Sequence, residues 1–184
     1  MLRLMEGNMR AMRTLAMATS LILSGAVSEG ASAQDPAAHP AIQQLVGTYA
    51  AAWGSRDPGR IAALHAADTI FDLRVDGEVP AVGREAAQQR FAGILRDNPG
   101  YSSTVRKVDF GATFVIIEYT IAMNPPAPFQ LGRMRYVPTG EPYSVPAIDV
   151  IRFRDGLVSE KVTFLDTDTI RAKSRGAAPV GASR

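Results

Sequence analysis

In the first half of the chain, apolar positions recur at three- and four-residue steps, which is the period of an amphipathic helix. The first such stretch begins near Pro40, which suits the first turn of a helix, and ends at Gly54. Asp57 and Pro58 then supply an acidic cap and an N-terminal proline for a second, short helix. A third helix is predicted over residues 86–95. The apolar positions of the three helices are Ile42, Leu45, Val46, Tyr49, Trp53, Ile61, Leu64, Ala87, Phe91, Ile94 and Leu95.

In the second half, polar and apolar residues alternate, as they do in half-buried strands. A first strand is predicted over residues 69–75, between the second and third helices. Between two later strands, residues 124–142 contain five prolines and two glycines, which favours a long loop or a distorted edge hairpin. The four later strands are predicted over residues 101–110, 113–123, 143–153 and 158–165.

The order of these elements predicts an α+β fold. Because helices come first and a run of strands follows, the helices are expected to pack on one face of a curved antiparallel sheet. We find no internal repeat and no second domain in the sequence. The folded domain is predicted over residues 40–171. Residues 34–39 are predicted to be a flexible leader, and residues 172–184 a disordered tail rich in Ala, Gly, Ser and basic residues.

The N-terminus has the pattern of a secretory signal peptide. Three arginines, at positions 3, 10 and 13, precede an apolar run over residues 15–27, and the segment ends in Ala31-Ser32-Ala33. We therefore predict residues 1–33 to be a signal peptide that is cleaved after Ala33. The alternative is a retained membrane anchor, but the apolar run is shorter than the ~20 residues that a spanning helix needs. The mature protein is expected to be periplasmic or secreted, with no stable membrane insertion after cleavage.

Composition narrows the possible partners. With 46% hydrophobic and 21% charged residues among 184, the chain can form one core and is too polar to be embedded in a membrane. Removing the predicted signal peptide leaves a net charge of +1, and no cluster of Lys and Arg is interleaved with aromatic residues, so we expect no nucleic-acid binding. There is no cysteine, which excludes disulfides, a thiol nucleophile and thiolate metal ligands.

Motifs for a bound metal or cofactor are missing from the sequence. The two histidines are far apart, His39 in the predicted leader and His65 in the predicted second helix, and no carboxylates cluster at ligand spacing. There is no Gly-x-Ser-x-Gly elbow and no glycine-rich phosphate loop. We therefore predict no metal and no cofactor, which leaves cofactor-independent chemistry or ligand binding.

Three segments together resemble a known superfamily. They are residues 49–57 (YAAAWGSRD), 83–86 (GREA) and 147–156 (AIDVIRFRDG). In this order they are similar to the nuclear transport factor 2-like superfamily, in particular to SnoaL-like proteins and ketosteroid isomerases. The likeness covers residues 40–170. It implies a cone-shaped, curved mixed sheet, three N-terminal-half helices packed on its concave face, an apolar pocket, and a homodimer formed through the outer faces of the sheets.

The resemblance also implies two hydrogen-bond donors in the pocket. In ketosteroid isomerases the oxyanion hole is formed by a helical tyrosine and by the Asp of an Ile-Asp-Val-x-Arg-Phe strand, and Tyr49 and Asp149 occupy those positions. Asp149 shares its strand face with apolar residues, which favours a protonated carboxyl that can donate. Each has an alternative. Tyr49 could be an ordinary core tyrosine, and Asp149 could form an ion pair with Arg152 or another basic residue across the sheet.

Asp72 is the third catalytic candidate, as the general base. The base of the ketosteroid isomerases aligns with Leu73 when the strand is read without a gap. Because successive side chains point to opposite faces, Asp72 then lies on the other face from Phe71 and Leu73. A one-residue bulge would turn Asp72 into the pocket and restore the base.

Two functions remain open from the sequence. The first is binding of a small apolar carbonyl compound, such as a steroid, polyketide or terpenoid, followed by isomerase- or cyclase-like chemistry. The second is a non-catalytic ligand- or partner-binding module of the same fold. The direction of the Asp72 side chain separates the two. Five apolar residues are candidate ligand contacts, although apolar residues at these periods are more often ordinary core: Trp53, Phe71, Leu73, Ile151 and Leu165.

Overall fold

The computed structural model describes residues 38–181, and the predicted α+β class is confirmed in this range. The helices of this range are α1 (Ala38–Ser55), α2 (Pro58–Ala62), α3 (Arg84–Asp97) and α4 (Thr167–Ala172). Its strands are β1 (His65–Leu73), β2 (Ala81–Val82), β3 (Ser102–Phe110), β4 (Phe114–Met123), β5 (Phe129–Leu131), β6 (Met134–Pro138), β7 (Tyr143–Arg154), β8 (Leu157–Leu165) and β9 (Ser174–Pro179). The predicted signal peptide lies outside the described residues. Among the helices that are described, none has the length and apolar character needed to cross a membrane.

Six strands form an open, curved sheet in the order β2-β1-β8-β7-β4-β3. β1 runs parallel to β8, and the other neighbouring pairs are antiparallel. Since residues paired across strands share a face, the register lines up two rows of side chains on the inner face of β1, β8, β7 and β4. The first row is Phe71, Lys161, Ile151 and Val115, and the second is Leu73, Thr163, Asp149 and Ile117.

The first three helices and the sheet share one core. The carboxylate of Asp57 accepts hydrogen bonds from the backbone N–H groups of Gly59 (2.8 Å) and Arg60 (3.2 Å), so it caps α2 as predicted. Pro58 follows it at the start of the helix. Fully buried members of this core are Ile61, Ala62, Ala87, Phe91, Val115, Ile151 and Val158.

The proline-rich segment contains the hairpin of β5 and β6, which is the edge-hairpin alternative of the sequence analysis. Its turn rests on the loop after β1. Gly132 has φ of +58°, and a Cβ there would lie 2.0 Å from the backbone oxygen of Asp76, so the turn requires glycine. The backbone N–H of Arg133 donates to the same oxygen at 3.0 Å.

The C-terminal segment differs from the prediction of a disordered tail beginning at residue 172. Residues 174–179 form β9, which pairs antiparallel with β6 and completes a three-stranded sheet, β5-β6-β9. The edge of β6 offers unpaired backbone groups, and β9 satisfies them. Composition does not reveal such a pairing between segments that are far apart in sequence.

Candidate functional site

A cavity of about 300 Å³ lies between α1, α3, the inner face of the main sheet and the β5–β6 hairpin. Its volume falls in the range of pockets that hold small molecules. Exposed Arg96 and Asp97 mark the side open to solvent, and buried Lys161 and Thr163 mark the closed end. The apolar wall includes Trp53, Phe71, Leu73, Ile94, Phe129 and Leu165.

A second, smaller cavity of about 80 Å³ lies beside the first. Tyr49, Asp149 and Ile151 line it. The two cavities have four lining residues in common, namely Trp53, Tyr101, Tyr119 and Lys161. These side chains therefore form the partition between the space around Asp149 and the larger cavity.

Asp149 is buried and accepts hydrogen bonds from three side chains. Thr163 Oγ1 donates to Oδ1 at 2.6 Å, Tyr119 Oη donates to the same oxygen at 3.1 Å, and Lys161 Nζ pairs with Oδ2. We call these four residues the charged cluster. Both oxygens of this carboxyl therefore act as acceptors. The structure thus has the ion pair across the sheet that the sequence left open, with Lys161 as the basic partner.

Lys161 is 3% exposed, which is unusual for a lysine. Its Nζ lies 5.8 Å from the ring centroid of Trp53 and 5.9 Å from that of Tyr49, so two aromatic faces and one carboxylate stabilise the cation. Burial lowers the pKa of Lys161, and the neighbouring Asp149 acts in the opposite direction. The closed end of the cavity therefore contains an amine with little water around it.

A separate chain of hydrogen bonds starts at Tyr49. Thr69 Oγ1 donates to the backbone oxygen of Val158 (3.0 Å), so it accepts from His65 Nδ1 (3.0 Å). His65 Nε2 is then the acceptor for the Tyr49 hydroxyl, at 3.0 Å. We call Tyr49, His65 and Thr69 the histidine chain. Burial, with the charges of Lys161 and Arg84, lowers the pKa of His65 to about 3, so this imidazole is neutral.

The hydrogen bonds of Tyr49 and Asp149 determine whether either residue can act as a predicted oxyanion donor. Tyr49 and Asp149 are brought to the same small cavity. However, the proton of Tyr49 is directed at His65, and Asp149 is an acceptor from three donors. Burial also raises the pKa of Tyr49 well above its ordinary value. In this arrangement neither group is free to donate to a ligand.

Asp72 lines neither cavity. It alternates with Phe71 and Leu73, which line the large cavity, and its Oδ2 pairs with Nε of Arg74 at 2.7 Å. β1 does contain a register shift, but it lies between His65 and Ile70. From Ile70 to Leu73 the pairing with β8 is continuous, so the shift does not turn Asp72 toward the cavity.

The five predicted ligand contacts all line one of the two cavities. Trp53 lines both, Ile151 lines the small cavity, and Phe71, Leu73 and Leu165 line the large one. In the range that the structure describes, no three His, Cys, Asp or Glu side chains come together in a way that could hold a metal ion.

Sequence reasoning missed Lys161, Tyr101, Tyr119 and His65. Lys161 could have been found, because it lies four residues before Leu165 in one strand and so shares its face. His65 was expected in the second helix, but α2 ends at Ala62 and His65 begins β1. The ring of Tyr101 contacts that of Trp53 in a tilted arrangement, with centroids 5.3 Å apart, and burial raises the pKa of the Tyr101 hydroxyl.

An α+β domain with an open, curved sheet and an internal cavity is the architecture of the nuclear transport factor 2-like superfamily. Within that superfamily the chain belongs to the SnoaL-like domain family, whose pattern matches residues 46–161. A search of curated proteins gives no match.

Solved structures with the same fold are only distantly similar in sequence. A candidate SnoaL-like polyketide cyclase from Jannaschia sp. CCS1 is 19% identical with a TM-score of 0.64, over 79% of this chain and 99% of that one. A ketosteroid isomerase-like fold protein from Catenulispora acidiphila, in complex with trimethylamine, is 20% identical with a TM-score of 0.59, over 71% and 91%. A candidate polyketide cyclase from Xanthomonas campestris is 21% identical with a TM-score of 0.57, over 74% and 98%. These similarities establish the fold.

Proposed function

We propose that the protein binds a small apolar carbonyl compound in the large cavity. The observation that carries the proposal is the cavity itself, which has a volume of about 300 Å³ and a wall of aromatic and aliphatic side chains. Its polar lining includes the Glu78–Arg90 ion pair and the buried Lys161 and Thr163. This combination is typical of small-molecule sites, in which apolar walls supply affinity and a few polar groups set orientation. Solved proteins of this fold include candidate polyketide cyclases, which supports a ligand of the polyketide kind.

Tyr101 is a hydroxyl donor available to bind the ligand oxygen. The indole Nε1 of Trp53, which has no hydrogen-bond partner in the described part of the chain, is a second donor on a residue that lines both cavities. The hydroxyl protons of Tyr119 and Thr163 are directed at Asp149, whereas Tyr101 lines both cavities with no side-chain hydrogen bond to another described residue. Replacing Tyr101 with Phe removes one hydrogen bond, so we expect the affinity for a carbonyl ligand to fall by about 2- to 10-fold. Tyr136→Phe, in a different apolar cluster, is the matched control.

Of the two functions that the sequence left open, the geometry supports ligand binding best. Isomerisation of the ketosteroid type needs a base beside the ligand and a protonated carboxyl as a donor. Asp72 pairs with Arg74 on the other side of the sheet, and Asp149 accepts from Lys161. The proposal therefore does not include that proton transfer.

Intrinsic fluorescence tests the binding proposal, because Trp53 is the single tryptophan of the chain and lines both cavities. We expect saturable changes in its emission on titration with citronellal, an apolar aldehyde, and with citronellol, its alcohol analogue. Leu165→Arg places a charge on the cavity wall and should abolish both changes. Val180→Arg, at an exposed apolar position after β9, should leave them intact. Unchanged emission in the wild-type protein would contradict the proposal.

We also propose that the protein is exported after cleavage at Ala33. The N-terminal pattern of arginines, apolar run and small residues supports this. Intact mass of the protein from its native host tests it, and a mature chain that still begins at Met1, Met9 or Met12 would contradict export.

A homodimer formed through the outer face of the main sheet is our proposal for the assembly. Exposed apolar side chains on that face support it: Ile148 pairs with Phe164 across β7 and β8, and Ile70 pairs with Val82 across β1 and β2. Light scattering at micromolar concentration tests this, with Phe164→Glu expected to shift the mass to that of a monomer. A monomeric wild-type protein would contradict it.

A further inference from the structure

We propose that Lys161 forms an imine with the carbonyl carbon of the bound ligand, with Asp149 as proton acceptor and counter-ion. The inference rests on the proposed function, because it needs a carbonyl compound in the large cavity. A buried lysine that serves only as a counter-ion needs no access to a ligand. Lys161 instead lines both cavities while it pairs with Asp149.

The surroundings of Lys161 favour covalent chemistry at its nitrogen. In the sheet register it lies between Phe71 and Ile151, two apolar residues, and the rings of Trp53 and Tyr49 lie within 6 Å of Nζ. Exclusion of water protects an imine from hydrolysis. Desolvated lysines in apolar pockets are the ones that react with carbonyl substrates, since less work is needed to obtain the neutral amine.

Asp149 supplies the proton transfers that the reaction needs. The ammonium of Lys161 passes one proton to Oδ2 of Asp149, and the neutral amine attacks the carbonyl carbon to form a C–N bond. The carbonyl oxygen takes the proton from Asp149, and a second proton moves from nitrogen through Asp149 to the same oxygen. The C–O bond then breaks, water leaves, and a C=N bond forms.

Charge is conserved through these steps. An ammonium and a neutral carbonyl compound become a protonated iminium and water. Asp149 is ionised at the start and at the end, and it retains its hydrogen bonds from Tyr119 and Thr163. The buried ion pair is therefore preserved in the product, which avoids the cost of an unpaired buried charge.

The chain contains three lysines, at positions 107, 161 and 173, so Lys107 and Lys173 serve as internal controls for the labelling of Lys161. Lys107 is exposed, and its hydrogen bond to Asp109 raises its pKa. Lys173 is exposed at the end of α4. Both have free access to any aldehyde in solution, so they report the labelling that exposure alone produces.

Reductive trapping tests the proposal. Full-length protein is incubated near neutral pH with an equimolar amount of citronellal and sodium cyanoborohydride, which reduces an iminium to a stable secondary amine. Peptide mapping by mass spectrometry then locates the citronellyl group. We expect the label on Lys161 in preference to Lys107 and Lys173, with loss of that label when citronellol is added as a competitor. Labelling of the N-terminal amine is mapped separately.

Two variants and the fluorescence assay distinguish a failure of the imine proposal from a failure of the binding proposal. Lys161→Arg keeps a cation beside Asp149 but cannot form an imine, so the site-specific label should be lost. Asp149→Asn keeps the lysine and should slow labelling. If citronellal changes Trp53 emission but labels the three lysines equally, or leaves Lys161 unlabelled, the imine is overturned and the binding function stands. If neither compound binds, both are overturned.

Discussion

Tyr49 contacts two buried polar groups that differ in what surrounds them. Its ring faces Lys161 of the charged cluster, and its hydroxyl begins the histidine chain. The charged cluster lines both cavities, whereas His65 and Thr69 line neither. The histidine chain is neutral and ends on a backbone oxygen, so all of its hydrogen bonds are internal. Burial of polar groups alone does not identify a functional site, and access to the large cavity distinguishes the two groups.

The largest expected effect comes from removing the cation of the charged cluster. Lys161→Met leaves Asp149 buried without its counter-ion, which should lower the free energy of unfolding by about 3–5 kcal/mol. Adding Asp149→Asn removes the unpaired charge and keeps an oxygen for Tyr119 and Thr163, so the double variant should recover most of the loss. Urea denaturation measures both. A loss below about 1 kcal/mol in Lys161→Met would show that the pair is not buried as described.

The histidine chain predicts a dependence of stability on pH. The pKa of His65 is about 3 in the folded protein, against about 6.5 in an unfolded chain. Below pH 6.5 the unfolded state takes up a proton that the folded state does not. The contribution of neutral His65 to the free energy of unfolding is therefore complete above pH 6.5 and is lost as the pH falls toward 3.

Proton uptake by His65 in the unfolded state should lower the free energy of unfolding by about 2 kcal/mol between pH 7.5 and pH 5. Urea denaturation at the two pH values measures the difference, and His65→Gln should remove most of it. A wild-type protein that is equally stable at pH 5 and pH 7.5 would contradict a neutral, buried His65.

The sequence predicts helices and strands better than it predicts which strands and side chains pair with one another. The periodicity places the three helices and the main strands close to their observed bounds, because it depends on local side-chain order. The resemblance to ketosteroid isomerases implied that Tyr49 and Asp149 lie near one another. Neither the periodicity nor the resemblance could show that Lys161 lies beside Asp149, since that depends on the register between β7 and β8. β9 was missed for the same reason, because its partner β6 is distant in sequence.

Two tyrosine variants should have smaller effects that differ in kind, one on stability and the other on ligand affinity. Tyr49→Phe removes the donor to His65 and should cost about 1 kcal/mol of stability, because a buried acceptor loses its partner. Since that donor belongs to the histidine chain, the affinity for citronellal should stay the same. Tyr101→Phe is expected to do the reverse, lowering affinity with little change in stability. Fluorescence titration and urea denaturation of both variants test this, and equal losses of affinity would place the Tyr49 hydroxyl in the ligand site.

The smallest expected effect concerns Asp72. Its partner Arg74 is 57% exposed, and an ion pair with one partner largely in solvent contributes little, so Asp72→Asn should change the free energy of unfolding by less than about 1 kcal/mol. Because Asp72 lies across the sheet from the cavity, citronellal binding and the labelling of Lys161 should not change. Arg74→Gln, which breaks the same pair from the exposed side, is the matched control. A loss of binding or labelling in Asp72→Asn but not in Arg74→Gln would mean that the carboxylate reaches the ligand. Asp72 would then be a candidate general base beside the charged cluster.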